Sequence, residues 1–262
     1  MLKNRLIPVL FLKHGYLVRS EGFQLHQNLG NPVAQVERYN AWDVDELIYI
    51  DITPDDDYDR QREDKRIRSP SNFLEIISLV AQKTFMPLTV GGKIRSLDDI
   101  RVRMSLGADK VTINTMALRN PSFLSAAAKE FGSQAIVASI DVMRHATGAY
   151  EVFSDRGTFP TGRIPQEWAR ECAELGAGEI FLNSIDRDGK ANGYDLSLVQ
   201  HVVRCSPVPV IACGGVGQYS HFAQGITEGG ASAVAAGNIF NFREMSYVLA
   251  KKELKKLNLN VR

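Results

Sequence analysis

The sequence predicts an α/β fold, a single (β/α)8 barrel spanning residues 1–262, on three observations. Short apolar strand candidates alternate with amphipathic helical stretches at 5–11, 46–51, 86–90, 110–114, 135–141, 178–184, 208–212 and 232–236. Eight such units predict a parallel sheet closed on itself. The halves of the chain also repeat one another: VDELIYIDI (44–52) matches AGEIFLNSI (177–185), MPLTVGGKI (86–94) matches VPVIACGGV (208–216), and GADKVTINT (107–115) matches GGASAVAAGN (229–238). An open doubly wound sheet would instead want G-x-G-x-x-G after its first strand, and that motif is absent.

Residues 1–12 mimic a signal peptide, with Lys3 and Arg5 ahead of the apolar run Leu6 to Leu12. The run is too short for a membrane span and has no small-residue cleavage site, so it reads as a buried first strand. Parity along it points Arg5, Ile7, Val9 and Phe11 into the barrel, with Phe11 level with Asp141 on the fifth strand. After the second strand the repeat locates an insertion. Glu46 and Glu179 are 133 positions apart but Gly91 and Gly214 only 123, so the first half holds ten extra residues, in or near PDDDYDRQREDKRIRSPS (54–71). This loop should lie on the C-terminal face, as a solvated segment or as a lid or docking element.

The third and seventh strands end on Gly91-Gly92 and Gly214-Gly215. A missing Cβ at a strand-to-loop junction lets backbone N–H groups close on an anion. Asn114-Thr115 ends the fourth strand beside the first pair, and Ala236-Gly237 ends the eighth beside the second. Phosphate sites after strands 7 and 8 are frequent in such barrels. Duplicated cradles on opposite sides of one mouth imply an elongated substrate with a phosphate at each end.

Composition narrows the function classes. The chain of 262 residues has 44% hydrophobic residues and net charge +1, which suits one large core and argues against nucleic acid as the main ligand. Cys172, Cys205 and Cys213 form no C-x-x-C, so neither a disulfide framework nor a zinc site is expected, and a reducing cytosol is. Arg187 separates Asp186 from Asp188 with no histidine near, which argues against a metal there. His14, His26, His145, His201 and His221 fall in loops and helices, His14 and His26 bordering the mouth. Trp42 and Trp168 read as packing residues of the outer ring.

GADKVTINT, FGSQAIVASID, GAGEIFLNSIDRDG with the following GYD, and the closing FNFRE resemble the cyclase subunit of imidazole glycerol phosphate synthase, the HisF type, over essentially the whole chain. The resemblance implies a cytosolic barrel without a cofactor that receives ammonia from a glutaminase (HisH-type) subunit docked beneath it. It also implies cleavage of a phosphoribosyl-linked aminoimidazole carboxamide substrate and closure of an imidazole ring. It assigns Asp141 as catalytic, and Asp51, Asn114, Thr115, Asp188, Gly189 and both Gly-Gly pairs, with Ala236 and Gly237, as substrate- or phosphate-binding. Arg5, Glu46, Lys110 and Glu179, which open strands 1, 2, 4 and 6, match a charged ammonia gate at the barrel floor. Their two cations and two anions can compensate one another, as buried charges must.

Four positions depart from the family pattern. The catalytic aspartate of the first strand is Phe11, the lysine of the first loop is Arg19, the third glycine of the first cradle is Lys93, and Asn183 stands where threonine is common. Lys93 can still hold a phosphate through its ammonium, but Phe11 cannot move a proton. A retained gate under an altered mouth suggests a barrel diverged toward amidating another metabolite. The resemblance points to the HisF-like branch that accompanies a sugar amidotransferase in surface polysaccharide synthesis. The alternatives are an ordinary cyclase working with Asp141 alone and a non-catalytic conduit for ammonia.

Overall fold

The computed structural model describes residues 3–54, 58 and 70–262. In chain order the strands are β1 (Arg5–Lys13), β2 (Tyr16–Glu21), β3 (Leu25–Gly30), β4 (Leu47–Asp51), β5 (Leu88–Gly91), β6 (Lys110–Ile113), β7 (Ile136–Arg144), β8 (Tyr150–Ser154), β9 (Phe159–Pro160), β10 (Glu179–Ser184), β11 (Val210–Cys213) and β12 (Ala233–Ala236). The helices are α1 (Pro32–Ala41), α2 (Phe73–Ala81), α3 (Leu97–Ser105), α4 (Thr115–Arg119), α5 (Ser122–Phe131), α6 (Pro165–Glu174), α7 (Leu196–Cys205), α8 (Tyr219–Thr227), α9 (Ile239–Phe242) and α10 (Ser246–Lys256). Strands β1, β4, β5, β6, β7, β10, β11 and β12 pair in parallel in that order, and β12 returns to β1. The barrel is therefore closed, and its eight strands overlap the eight runs read from the sequence.

Two apolar populations follow from strand parity. Leu6, Leu10 and Leu12 of β1 face outward with Ile136, Ile140 and Ile180 and pack against the helices. Ile7, Val9 and Phe11 face inward with Ile48, Val137, Phe181 and Ile211 and fill the interior. The period of two thus places Phe11 inside. Trp168 on α6 is fully buried in the outer layer, and Trp42, at the C-cap of α1, packs on Tyr39 at 5.7 Å between ring centroids. Helix ends are marked in sequence too. Ser96 and Asp99 form a reciprocal capping box at the start of α3, and Pro32 and Pro165 open α1 and α6.

Two hairpins at the mouth were not anticipated. The first loop folds as β2 and β3, so Arg19 and His26 lie on strands, and β8 with β9 extends β7 beyond Asp141. Left-handed turns at His14-Gly15 and Gly22-Phe23 reverse the chain there, a local signal that short polar runs hide. Of the 54–71 loop only Pro54, Tyr58, Pro70 and Ser71 are described, so its reading as solvated loop or lid lies outside the described residues. Tyr58 packs inward, its ring 3.1 Å from where a Cβ on Gly15 would stand.

The floor of the barrel is charged. Arg5 pairs with Glu46 at 2.7 Å and with Glu179, while Lys110 reaches Glu46 at 2.9 Å and Glu179 at 2.7 Å, which closes a four-membered ring. Thr89 donates its hydroxyl to Glu46 at 3.2 Å. Burial pulls the Arg5 guanidinium down, but Glu46 and Glu179 outweigh it and leave it above its usual value. Burial pushes the Glu179 carboxyl up, and Arg5 and Lys110 override this to hold it below the usual range.

A carboxylate whose folded pKa is depressed stabilises the fold fully above its unfolded value, and loses that contribution as pH falls through the folded one. Glu179→Gln should therefore cost about 3 kcal/mol near neutral pH by leaving Arg5 and Lys110 short of an anion. The Tm gap from the unsubstituted chain should narrow as pH drops below the ordinary carboxylate range. Thermal melts across pH check this, and a gap independent of pH would contradict it.

Candidate functional site at the barrel mouth

The mouth holds two cavities, one on each side of the Phe11 ring. The first, of about 490 Å³, is lined by Phe11, Asp51, Gly92, Lys93, Asn114, Thr115, Asp141 and Asn183. The second, of about 610 Å³, is lined by Phe11, Arg19, Asp188, Gly189, Gly214, Gly215, Ala236 and Gly237. Every mouth residue singled out from the sequence lines one cavity or the other, except Gly91 and His14. A Cβ on Gly91 would stand 2.3 Å from Thr112 Cγ2, so that glycine permits the close pairing of β5 with β6.

Asp141 projects inward from β7 beside Asn183 of β10, its register partner. Asn114 donates its amide to Asp141 Oδ2 at 2.8 Å. Burial pushes the Asp141 carboxyl up to about 7, with a smaller push from the charge of Asp188. Near neutral pH both forms are then populated, which suits a group that must take a proton and return it. The aromatic rings of Phe11 and Phe181 share this cavity with it.

The remaining carboxylates are engaged internally. Asp51 accepts the Thr53 N–H at 2.9 Å and its hydroxyl at 2.5 Å on Oδ1, and the Tyr58 hydroxyl at 3.3 Å on Oδ2. Lys93 Nζ lies 3.4 Å from Asp51 Oδ2. That contact helps hold Lys93 at φ 55, a left-handed conformation that glycine would adopt without strain. Asp188 accepts the Ser20 hydroxyl at 2.6 Å and the Phe23 N–H at 3.2 Å, which ties the β2–β3 hairpin to the loop after β10. Burial pushes the Asp188 carboxyl up, against those two bonds.

The cradles depend on glycine for space. A Cβ on Gly92 would meet the Asp51 carbonyl oxygen at 2.2 Å, and one on Gly214 the Ser184 carbonyl oxygen at 2.7 Å. Asp51 and Ser184 are equivalent positions of the two halves, each 133 residues from the other. Cationic side chains line both cavities, Lys13, Lys93, Arg95, Arg119 and Arg156 the first and Arg19 and Arg243 the second. Arg243 was not singled out from the sequence, nor were Ser20, Thr112 and Ser139. Ser139 was legible by parity with Asp141 on β7, whereas Arg243 reaches the cavity from the segment after α9, whose path no local pattern reveals.

Replacing the ionisable group isolates the cost of its burial. In the unfolded chain Asp141 ionises at the ordinary aspartate value of about 4 and in the folded chain only near 7, so its raised pKa costs stability progressively between those values, fully above 7 and not below about 4. Asp141→Asn should therefore raise Tm at pH 8 relative to the unsubstituted chain, by the equivalent of about 1–2 kcal/mol once solvent access from the cavity is allowed for. The difference should shrink as pH falls and vanish below about pH 4, and a difference independent of pH would contradict the shift.

Comparison with known proteins agrees with this architecture. The family model described as histidine biosynthesis protein matches residues 5–246. The imidazole glycerol phosphate synthase subunit HisF of Alkaliphilus metalliredigens (strain QYMF) is 39% identical over 262 residues, covering 100% of both chains. Full-length identity, a closed eight-stranded barrel and paired glycine cradles at its mouth together place the chain in the HisF family of histidine-biosynthesis barrels.

Proposed function

We propose that this barrel is the synthase subunit of a glutamine amidotransferase complex, fed with ammonia through its floor by a HisH-type glutaminase. In this reading its mouth has turned from imidazole ring closure to amidation of another phosphate-bearing metabolite. The observation that carries the divergence is Phe11, an apolar ring lining both cavities where the HisF resemblance places a second catalytic carboxylate. Addition of ammonia to an electrophilic carbon leaves an extra proton on nitrogen and requires one at the departing oxygen. Asp141, populated in both protonation states near pH 7, takes the first and supplies the second. A surface-sugar precursor handled together with a sugar amidotransferase is the acceptor class that the resemblance favours. No helix among the described residues is long and apolar enough to cross a membrane, which is compatible with cytosolic chemistry.

The floor supports the ammonia route by its cost. Buried ion pairs contribute little net stability compared with apolar packing, so four charges across the barrel axis are better explained by a path for a small polar molecule. The ring lies at the opposite end of the strands from the cradles and cannot serve the same ligand.

Two measurements test these halves separately. With the histidine-pathway substrate and ammonium salt, turnover should fall roughly 10²–10⁴-fold below that of an ordinary cyclase, and Phe11→Asp should recover part of the difference. Turnover at ordinary cyclase levels would instead establish the histidine-pathway reading, which the 39% full-length identity otherwise favours. In the complex with the glutaminase, Lys110→Ala should lower transfer of glutamine-derived ammonia several-fold and leave ammonium-driven activity nearly unchanged. Equal loss with both nitrogen sources would make the ring a structural plug and remove the conduit role as well.

A further inference from the structure

We infer that Phe11 partitions the mouth into two independent binding chambers, so that the acceptor reacting over Asp141 carries one phosphate and a separate phosphate ester occupies the second cradle. The inference rests on the phosphate-bearing substrate proposed above, and replaces a single bridging ligand with two. Its basis is where the groups divide. Asp141, Asn183 and the first cradle line one chamber, Gly214, Gly215 and Gly237 line the other, and Phe11 is the residue shared between these two linings. The ring leans toward the second cradle, since Cε2 and Cδ2 lie 3.8 and 3.9 Å from where a Cβ on Gly237 would stand. The backbone of Phe11 pairs with Val18 of β2 and Ile50 of β4 and its ring is buried in the inward apolar cluster, so it belongs to the barrel wall and not to a loop.

The chamber over Asp141 has charge of its own for one anionic end, from Lys93 beside Gly92. Arg19 and Arg243 supply the second chamber with an anion site that needs nothing from the first.

Bivalency gives the test. A ligand that engages two sites at once binds on the order of 100-fold or more tighter than its one-site counterpart, whereas one engaging either site singly gains only a statistical factor of about two. Alkyl monophosphates and a homologous series of alkanediol bisphosphates are titrated calorimetrically against the full chain and its Phe11→Ala variant. The unsubstituted chain should bind two molecules of every compound, with bisphosphates within about twofold of the monophosphates. In Phe11→Ala one length of bisphosphate should bind once per chain and about 100-fold tighter. If that variant does not fold, Phe11→Leu, which shortens the wall, should show the same change at about tenfold. A tight one-to-one bisphosphate complex with the unsubstituted chain, or a folded variant with no gain, overturns the partition while sparing the phosphate reading. Absence of binding by every compound overturns both.

Discussion

Closing eight strands into a ring leaves room for only a few inward side chains at each level, and in this chain each level does something different. The return of β12 to β1 enforces that limit. At the lowest level Arg5, Glu46, Lys110 and Glu179 compensate one another's charge. Above them Ile7, Ile48, Phe181 and Ile211 form an apolar layer, and at the top Phe11 and Asp141 face the same cavity. Alternation along β1 alone links charge at one end to an aromatic ring at the other, six residues away. A change at one level is therefore confined to it, and the mouth can be rebuilt without disturbing the floor.

Phe11 brings an apolar ring to the cavity that holds Asp141, and burial there lets that carboxyl keep its proton to near neutrality. Lys93 is a parallel change on the other wall, because its ammonium beside Asp51 brings positive charge to a cradle otherwise built from backbone. Phe11 and Lys93 both lie at the mouth, at the opposite end of the strands from the charged ring of Arg5, Glu46, Lys110 and Glu179.

Much of this was legible before any coordinates. Short apolar runs between helical stretches located all eight barrel strands, and the internal repeat paired the cradles and exposed the insertion, because both features are written in local spacing. Parity alone put Phe11 and Asp141 inside, and Ser139 could have been found the same way. What stayed hidden depends on contacts between distant segments. The β2–β3 hairpin is held by Asp188 from 168 residues beyond Ser20, and no pattern within YLVRSE signals that partner. Gly91 misled for a related reason. A Gly-Gly pair at a strand end does not reveal which of its residues faces the cavity and which admits the neighbouring strand.

Proton transfer in both directions by one carboxyl requires that Asp141 titrate near neutrality, and its carboxyl carbon-13 chemical shift measured by NMR across pH reads this directly. A titration midpoint near 7, assigned by its disappearance in Asp141→Asn, is the result this structure predicts. A midpoint near the ordinary aspartate value of about 4 would contradict it, leaving Asp141 an ionised anchor for Asn114 and the chamber without an acid.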